Sequence, residues 1–342
     1  MKIRSKAPLR LGIAGGGTDV SPYSDTFGGC VLNATINMYA YAYIDDELDE
    51  NKVIFEAADL GLREEINLDK EINIEGQLKL HRAVYLRVMK DYFGGELKPI
   101  RIITHSDAPA GSGLGSSSTV VVSMLEGLRQ MYSLPLGEYD LAQLAFKIER
   151  VDCGLSGGKQ DQYAATFGGF NFMEFYKCNR VIVNPLRIRR YIINELESSL
   201  ILYFTGASRD SAKIINEQIK SLEEKKGSKL EAMHRVKESA YKIKEYLLKS
   251  DIDAMSSTFL DAWRSKKETS SSITNPMIEE IEMEIFNIGA KSMKVSGAGG
   301  GGFMMIFVEP EKKHIVENKL KAFGGEVYKF QFVEEGAYSW TI

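Results

Sequence analysis

The stretch that decides the fold is Pro109–Thr119, "PAGSGLGSSST". It follows "IRIITHSDA", which reads as a strand ending in polar residues, and precedes "VVVSMLEGLRQMY", which reads as a helix. Glycines let backbone amides crowd around a charged ligand. A helix that begins near Ser116 aims its unpaired N–H groups and its dipole at the same point. The hydroxyls of Ser116, Ser117, Ser118 and Thr119 add donors or a metal ligand. This chemistry suits a phosphate chain. Two common versions of such a loop do not match. No Gly-Lys-Ser/Thr closes it, and Gly113, Gly115 and Ser118 form only a loose dinucleotide fingerprint without an acidic ribose partner. A flexible surface turn with a serine cap stays open as the plain alternative.

Two more glycine clusters lie elsewhere. "AGGGTD" (14–19) follows the first strand, and "SGAGGGG" (296–302) joins "KSMKV" to "FMMIFV". Each alone is a tight turn or a close backbone crossing; three loops leaving strands can also converge on one ligand. Two acidic residues fit such a site. Glu149 ends a helix where a carboxylate opposes the dipole, and Asp161 lies in "GGKQDQ" (157–162). A nucleotide-bound Mg²⁺ needs one or two protein oxygens, and a phosphoryl acceptor needs a carboxylate to take its proton. An exposed glutamate and a turn-capping aspartate are the commoner fates of such residues.

The rest of the chain sets the frame. A length of 342 residues suits two domains. A net charge of −4 argues against a broad basic face for nucleic acid. Cys30, Cys153 and Cys178 are too scattered for a disulfide framework or a zinc site. No apolar run approaches membrane-spanning length, and no signal peptide is evident, so the expected location is cytoplasmic. Strands are expected at 8–14, 31–44, 100–105, 326–333 and 337–342, in the strand-like runs "RVIVNPLRI" (180–188) and "SLILYFTG" (199–206), and beside the third glycine cluster. Helices are expected at 81–93, 116–132, 141–151 with Asp140 as cap, 228–249, from Ile278, and at 311–323. "KETSSSITNP" (267–276) reads as a polar loop. The texture changes near 190, giving domains 1–190 and 191–342 in an α+β chain.

Taken together, the three loops resemble the motifs of the GHMP kinases. "PAGSGLGSSST" is similar to their P-x-x-x-G-L-G-S-S-A motif, with Ser118 and Thr119 where alanines are usual. "KVSGAGGGGFMMIF" is similar to their C-terminal glycine motif. "APLRLGIAGGGTDVSPY" resembles the N-terminal motif of the fucokinase and heptose kinase branch, as do "GGKQDQYAATFGG" and "FTGASRDSA". The resemblance implies an N-terminal domain like domain 2 of ribosomal protein S5 and a ferredoxin-like C-terminal domain. It implies ATP on Pro109, Gly111, Ser112, Gly113, Leu114, Gly115, Ser116, Ser117 and Ser118, with Mg²⁺ on Ser117 and Glu149. Asp161 matches the catalytic aspartate, and Arg10 the basic residue beside the reacting oxygen. Gly17, Thr18, Asp19, Gly299 and Gly300 would face the acceptor. That acceptor would be a small sugar phosphate, phosphorylated at its anomeric hydroxyl. Its own phosphate needs cations, for which Arg209, Lys213 and Lys159 are candidates beside Ser208 and Ser211. No nucleic acid or membrane partner is expected; a homodimer stays open. Another sugar 1-kinase, an inactive sugar and ATP sensor, and a dehydrogenase are the competing readings.

Overall fold

The computed structural model describes residues 1–48, 50–206, 211–223 and 227–342; Ser208 and Arg209 lie outside the described residues. Two sheets organise them, and strand alternation shows how the sheets join. In β10 (Phe303–Val308), Phe303, Met305 and Phe307 face one core while Met304, Ile306 and Val308 face another. β8 (Leu200–Phe204) divides in the same way, with Leu200 and Leu202 opposite Ile201 and Tyr203. Strands buried on both faces read as continuous apolar runs, as "FMMIFV" does.

The smaller sheet has the order β11-β8-β10-β9, all antiparallel, with β9 at Ala290–Val295 and β11 at Glu326–Tyr328. Between β8 and β9 run four helices: α7 (Ser211–Glu223), α8 (Gly227–Lys249), α9 (Ile252–Thr269) and α10 (Pro276–Asn287). α11 (Lys313–Lys321) joins β10 to β11. This is the split βαβ order of a ferredoxin-like unit. On α8, Met233, Val236, Ala240, Ile243 and Leu247 are buried, as their 3-and-4 spacing requires.

The larger, eight-stranded sheet has the order β12-β1-β2-β5-β3-β4, with β6 on β2 and β7 on β6. β1 is Lys2–Ala14, β2 Gly29–Asp45, β3 Lys52–Ala57, β4 Leu62–Asn67, β5 Ile100–Ser106, β6 Phe170–Phe175, β7 Val181–Pro185 and β12 Tyr338–Thr341. Among the described residues, only β3 and β5 pair in parallel. Helices α2 (Lys79–Phe93), α3 (Ser116–Met131) and α4 (Glu138–Lys147) cover one core of this sheet. Leu9, Leu11 and Ile13 of β1 share a second core with Phe303, Met305 and Phe307 of β10. The two sheets thus clasp one apolar layer, and the α+β class stands.

Several expectations shift. The run 326–333 serves two places: β11 ends at Tyr328, and Phe332 then bridges Ile36 of β2 and enters the shared core. The final strand returns to the larger sheet, where Lys6 faces Tyr338 and Ile3 faces Thr341. Gly137, not Asp140, caps α4. Asp140 sits at the third helical position and accepts from Gly137 N at 3.1 Å, the reciprocal half of a capping box. α9 continues to Thr269, through the start of the expected polar loop. β3, β4 and the short α6 (Arg190–Ser199) had no clear signal in the sequence; β4 alternates half-buried and exposed residues at a sheet edge. Among the described residues, no helix is long and apolar enough to cross a membrane.

His81 of α2 is buried, with Nε2 2.9 Å from the Thr104 hydroxyl of β5. Burial lowers its pKa from 6.5 to about 4. Between those values the unfolded chain holds the extra proton, so stability is full above pH 6.5 and is lost as pH falls toward 4. The shift from 6.5 to about 4 corresponds to roughly 3 kcal/mol. Denaturant melts from pH 7 to pH 4 are expected to show this slope in the parent, and a flatter one in His81→Gln.

Candidate active site

The first motif leaves β1 with Arg10 pointing inward, 3% exposed. Its guanidinium joins α5 to the second and third glycine loops. Nε and Nη2 meet Asp161 Oδ1 at 2.7 and 2.6 Å. Nη1 donates to the Gly113 carbonyl at 2.7 Å and lies 3.4 Å from Ser296 Oγ. Asp161 opens α5 (Gln160–Phe167), and its carboxylate stands over Gly115, where a Cβ would meet Asp161 Cγ at 3.1 Å. Gly115, at φ +78°, is the N-cap of α3. The Asp161 carboxylate and the N-terminus of α3 are therefore neighbours.

A cleft of about 320 Å³ runs past these groups. Its lining includes Gly111, Gly113, Gly115, Ser116, Ser117, Ser118 and Glu149. Gly17, Asp19, Gln160, Asp161, Lys266 and Gly297 line it as well. Pro109, Ser112 and Leu114 shape the loop from behind. Ser112 N donates to the Pro109 carbonyl at 3.2 Å, and Arg10 N donates to the Leu114 carbonyl at 3.2 Å.

Glu149 is 1% exposed, and the cause is a local widening of the chain. After α4 the turn at Ile148–Asp152 opens, with Cys153 N donating to the Ile148 carbonyl at 2.9 Å. Such one-turn bulges recur at functional sites. Here it carries Glu149 inward, where Oε1 accepts from Ser117 Oγ at 3.1 Å. Oε2 accepts from Gln162 Nε2, which also lies 3.1 Å from Ser118 Oγ. Apolar spacing alone predicts a regular helix to 151, and nothing local marks Gln162.

Asp19 is buried and fully occupied. Oδ1 accepts from Gly17 N and Gln160 Nε2, both at 3.2 Å, and Oδ2 from Lys159 N at 2.9 Å and Gln160 N at 3.1 Å. These four donors match the lone-pair capacity of a carboxylate. Asp19 thus caps α5 from a distant segment. Gly158 must be glycine, because a Cβ there would fall 1.9 Å from Asp19 Oδ2.

Other expected residues lie elsewhere. Thr18 is buried, its hydroxyl 2.8 Å from the carbonyls of Gly15 and Cys30. Lys159 turns away from the cleft, with Nζ 3.7 Å from Asp25 Oδ1. Gly299 and Gly300 pack on the turn at Ile273 rather than lining the cleft; Gly300 N donates to the Ile273 carbonyl at 2.5 Å. Lys213 is exposed on α7, whose Ile215 and Gln218 line the cleft.

Two lysines that the sequence did not single out complete the site. Lys266 of α9 is buried and donates to the Gly297 carbonyl at 2.5 Å. Lys294 of β9 donates to the Gly12 and Ile13 carbonyls at 2.8 and 3.1 Å, fastening the smaller sheet to β1. Burial, then the charges of Lys266 and Arg10, push its pKa well below the usual lysine range.

Family models match both halves: GHMP kinases N terminal domain at residues 79–169, and GHMP kinases C terminal at 243–326. The D-glycero-alpha-D-manno-heptose 7-phosphate kinase of Campylobacter jejuni is 44% identical over 340 residues, which is 99% of each chain. The crystal structure of a D-glycero-D-manno-heptose 1-phosphate kinase from Bacteriodes thetaiotaomicron aligns with a TM-score of 0.82 at 43% identity, covering 99% of both chains. The bifunctional fucokinase/GDP-fucose pyrophosphorylase of Arabidopsis thaliana is 24% identical over 322 residues, 91% of this chain and 30% of that one. With both halves matched and 44% identity along nearly its whole length, the chain belongs to the GHMP kinase family.

Proposed function

We propose that this protein transfers the terminal phosphoryl group of ATP to the anomeric hydroxyl of D-glycero-D-manno-heptose 7-phosphate. The observation that carries the reading is the Arg10–Asp161 pair standing over Gly115, where the glycine loop becomes a helix. Identity of 44% to a heptose 7-phosphate kinase supports the acceptor.

In this mechanism the ATP phosphates lie along Gly111–Ser118, within reach of the loop amides and the α3 dipole. Arg10 binds one carboxylate oxygen of Asp161 and so fixes its orientation. Asp161 takes the proton of the anomeric hydroxyl. The sugar oxygen forms its bond to phosphorus as the bond to the bridging oxygen of ADP breaks, and the proton later passes to solvent. An anomeric hydroxyl is more acidic than an ordinary alcohol, so a carboxylate is an adequate base.

The donor set at Ser117 and Glu149 fits Mg²⁺. It offers hard oxygens 3.1 Å apart, and Glu149 is a buried carboxylate whose near partners are the neutral Ser117 and Gln162, with Arg150 no closer than 3.9 Å. Magnesium bound there would neutralise charge on the phosphate oxygens. For the 7-phosphate, Arg209 and Lys213 remain the candidates; Lys213 lies in the first turn of α7, whose Ile215 and Gln218 line the cleft, while Arg209 is outside the described residues.

A coupled ADP-release assay should compare the heptose 7-phosphate, the heptose 1-phosphate, the free heptose, fucose and galactose. The 7-phosphate is expected to give by far the highest kcat/KM. Preferred turnover of the 1-phosphate or of a free hexose would overturn the acceptor assignment. Asp161→Asn should lower kcat by roughly 100- to 10,000-fold with little change in either KM. Arg209→Ala with Lys213→Ala should raise the KM of the phosphorylated acceptor and leave that of ATP alone.

Glu149→Gln tests the metal site separately. The Mg²⁺ concentration for half-maximal rate should rise by at least about tenfold, since disturbing even outer partners of a metal costs that much. An unchanged Mg²⁺ titration would remove Glu149 from the metal site.

A further inference from the structure

One amide in the cleft has only half of its hydrogen bonding satisfied. Gln160 is 9% exposed and lines the cleft. Its Nε2 donates to Asp19 Oδ1 at 3.2 Å. A carboxylate only accepts, so Asp19 dictates which end of the amide faces it. Oε1 is thereby turned the other way, and it is buried with no hydrogen-bond partner.

The surroundings locate that oxygen. A Cβ built on Gly12 would meet Gln160 Oε1 at 3.7 Å and Arg10 Nη1 at 3.8 Å. A Cβ built on Gly16 would meet Lys266 Nζ at 3.7 Å and Gln160 Nε2 at 3.9 Å. The amide of this cleft-lining residue therefore lies against Gly12 and Gly16, its oxygen on the Arg10 side and its nitrogen on the Lys266 side. Its backbone neighbour is Asp161. A buried carbonyl oxygen without a donor is costly to keep, and a bound polyol supplies donors at this position.

We infer that Gln160 is a specificity-determining residue for the acceptor. Its Oε1 accepts a hydrogen bond from a sugar hydroxyl next to the one that is phosphorylated. Asp19 acts through Gln160 as a positioning residue. The inference rests on the reading of the acceptor as a sugar, but not on which sugar.

The test takes the sugar that the wild-type protein turns over best and its monodeoxy analogues. In wild type, one analogue should lose about 10- to 100-fold in kcat/KM, the loss expected for an unpaired buried acceptor. In Gln160→Met that analogue should no longer be penalised, while the KM of ATP should stay within about twofold. A merely structural role would depress all acceptors alike and leave the analogue pattern intact. Equal penalties in both proteins, or an equal rise in the KM of ATP, would overturn the assignment. A crystal structure of the wild-type complex gives a check that needs no variant: a sugar hydroxyl about 3 Å from Oε1 supports the assignment, and a water there instead overturns it.

The outcomes separate from those of the proposed function. If a free hexose wins the panel, the heptose phosphate reading falls and the analogue test proceeds on that hexose. If heptose 7-phosphate wins but no coupling appears, Gln160 falls and the reading stands. If no sugar is turned over, both fall.

Discussion

The site depends on one buried guanidinium. Arg10 holds Asp161 of α5, the Gly113 carbonyl of the phosphate loop and, more distantly, Ser296 of the third loop. A buried charge is stable only where its partners are fixed around it. That requirement brings together segments from the start, middle and end of the chain. β1, which carries Arg10, lies inside the larger sheet and is fastened from the other side by Lys294. Movement of α5 or of either of these two loops would therefore leave a desolvated charge short of a partner.

The glycines divide into two groups for physical reasons. Some face the cleft, where their amides can meet phosphate. Others exist because two backbones cross. A Cβ on Gly113 would fall 2.6 Å from the Ser296 carbonyl, and one on Gly302 would fall 2.3 Å from that of Ser112. The phosphate loop and the third loop are thus packed backbone on backbone. The motif "SGAGGGG" contributes to the site largely by letting the phosphate loop keep its shape; Gly297 lines the cleft, while Gly299 and Gly300 support the turn beside it.

The fold leaves the acceptor undecided, since one scaffold serves several chemistries. On the proposed reading, the acceptor would meet parts of the cleft with separate origins: the 15–19 loop, the start of α5, and Lys266, Ile215 and Gln218 from the C-terminal helices. Selection among sugars would reside in those contacts.

The sequence by itself determined whatever depends on neighbouring residues. Strand, glycine turn and helix around Pro109–Thr119 were legible because turn chemistry, helix starts and apolar periodicity are local. The amphipathic α8 and the continuously apolar β10 were legible for the same reason, and family motifs pointed to Arg10, Asp161 and Glu149. Only the tertiary structure decided the rest. That Asp19 caps α5, that Gln160 is left with an open acceptor, and that Lys266 arrives opposite Gly16 are pairings between segments far apart in the chain. Likewise, 326–333 reads as one alternating run, yet it divides between two sheets because burial of Phe332 competes with continued pairing of β11. Such pairings leave no local mark, because the partner that satisfies each buried polar atom is chosen by packing.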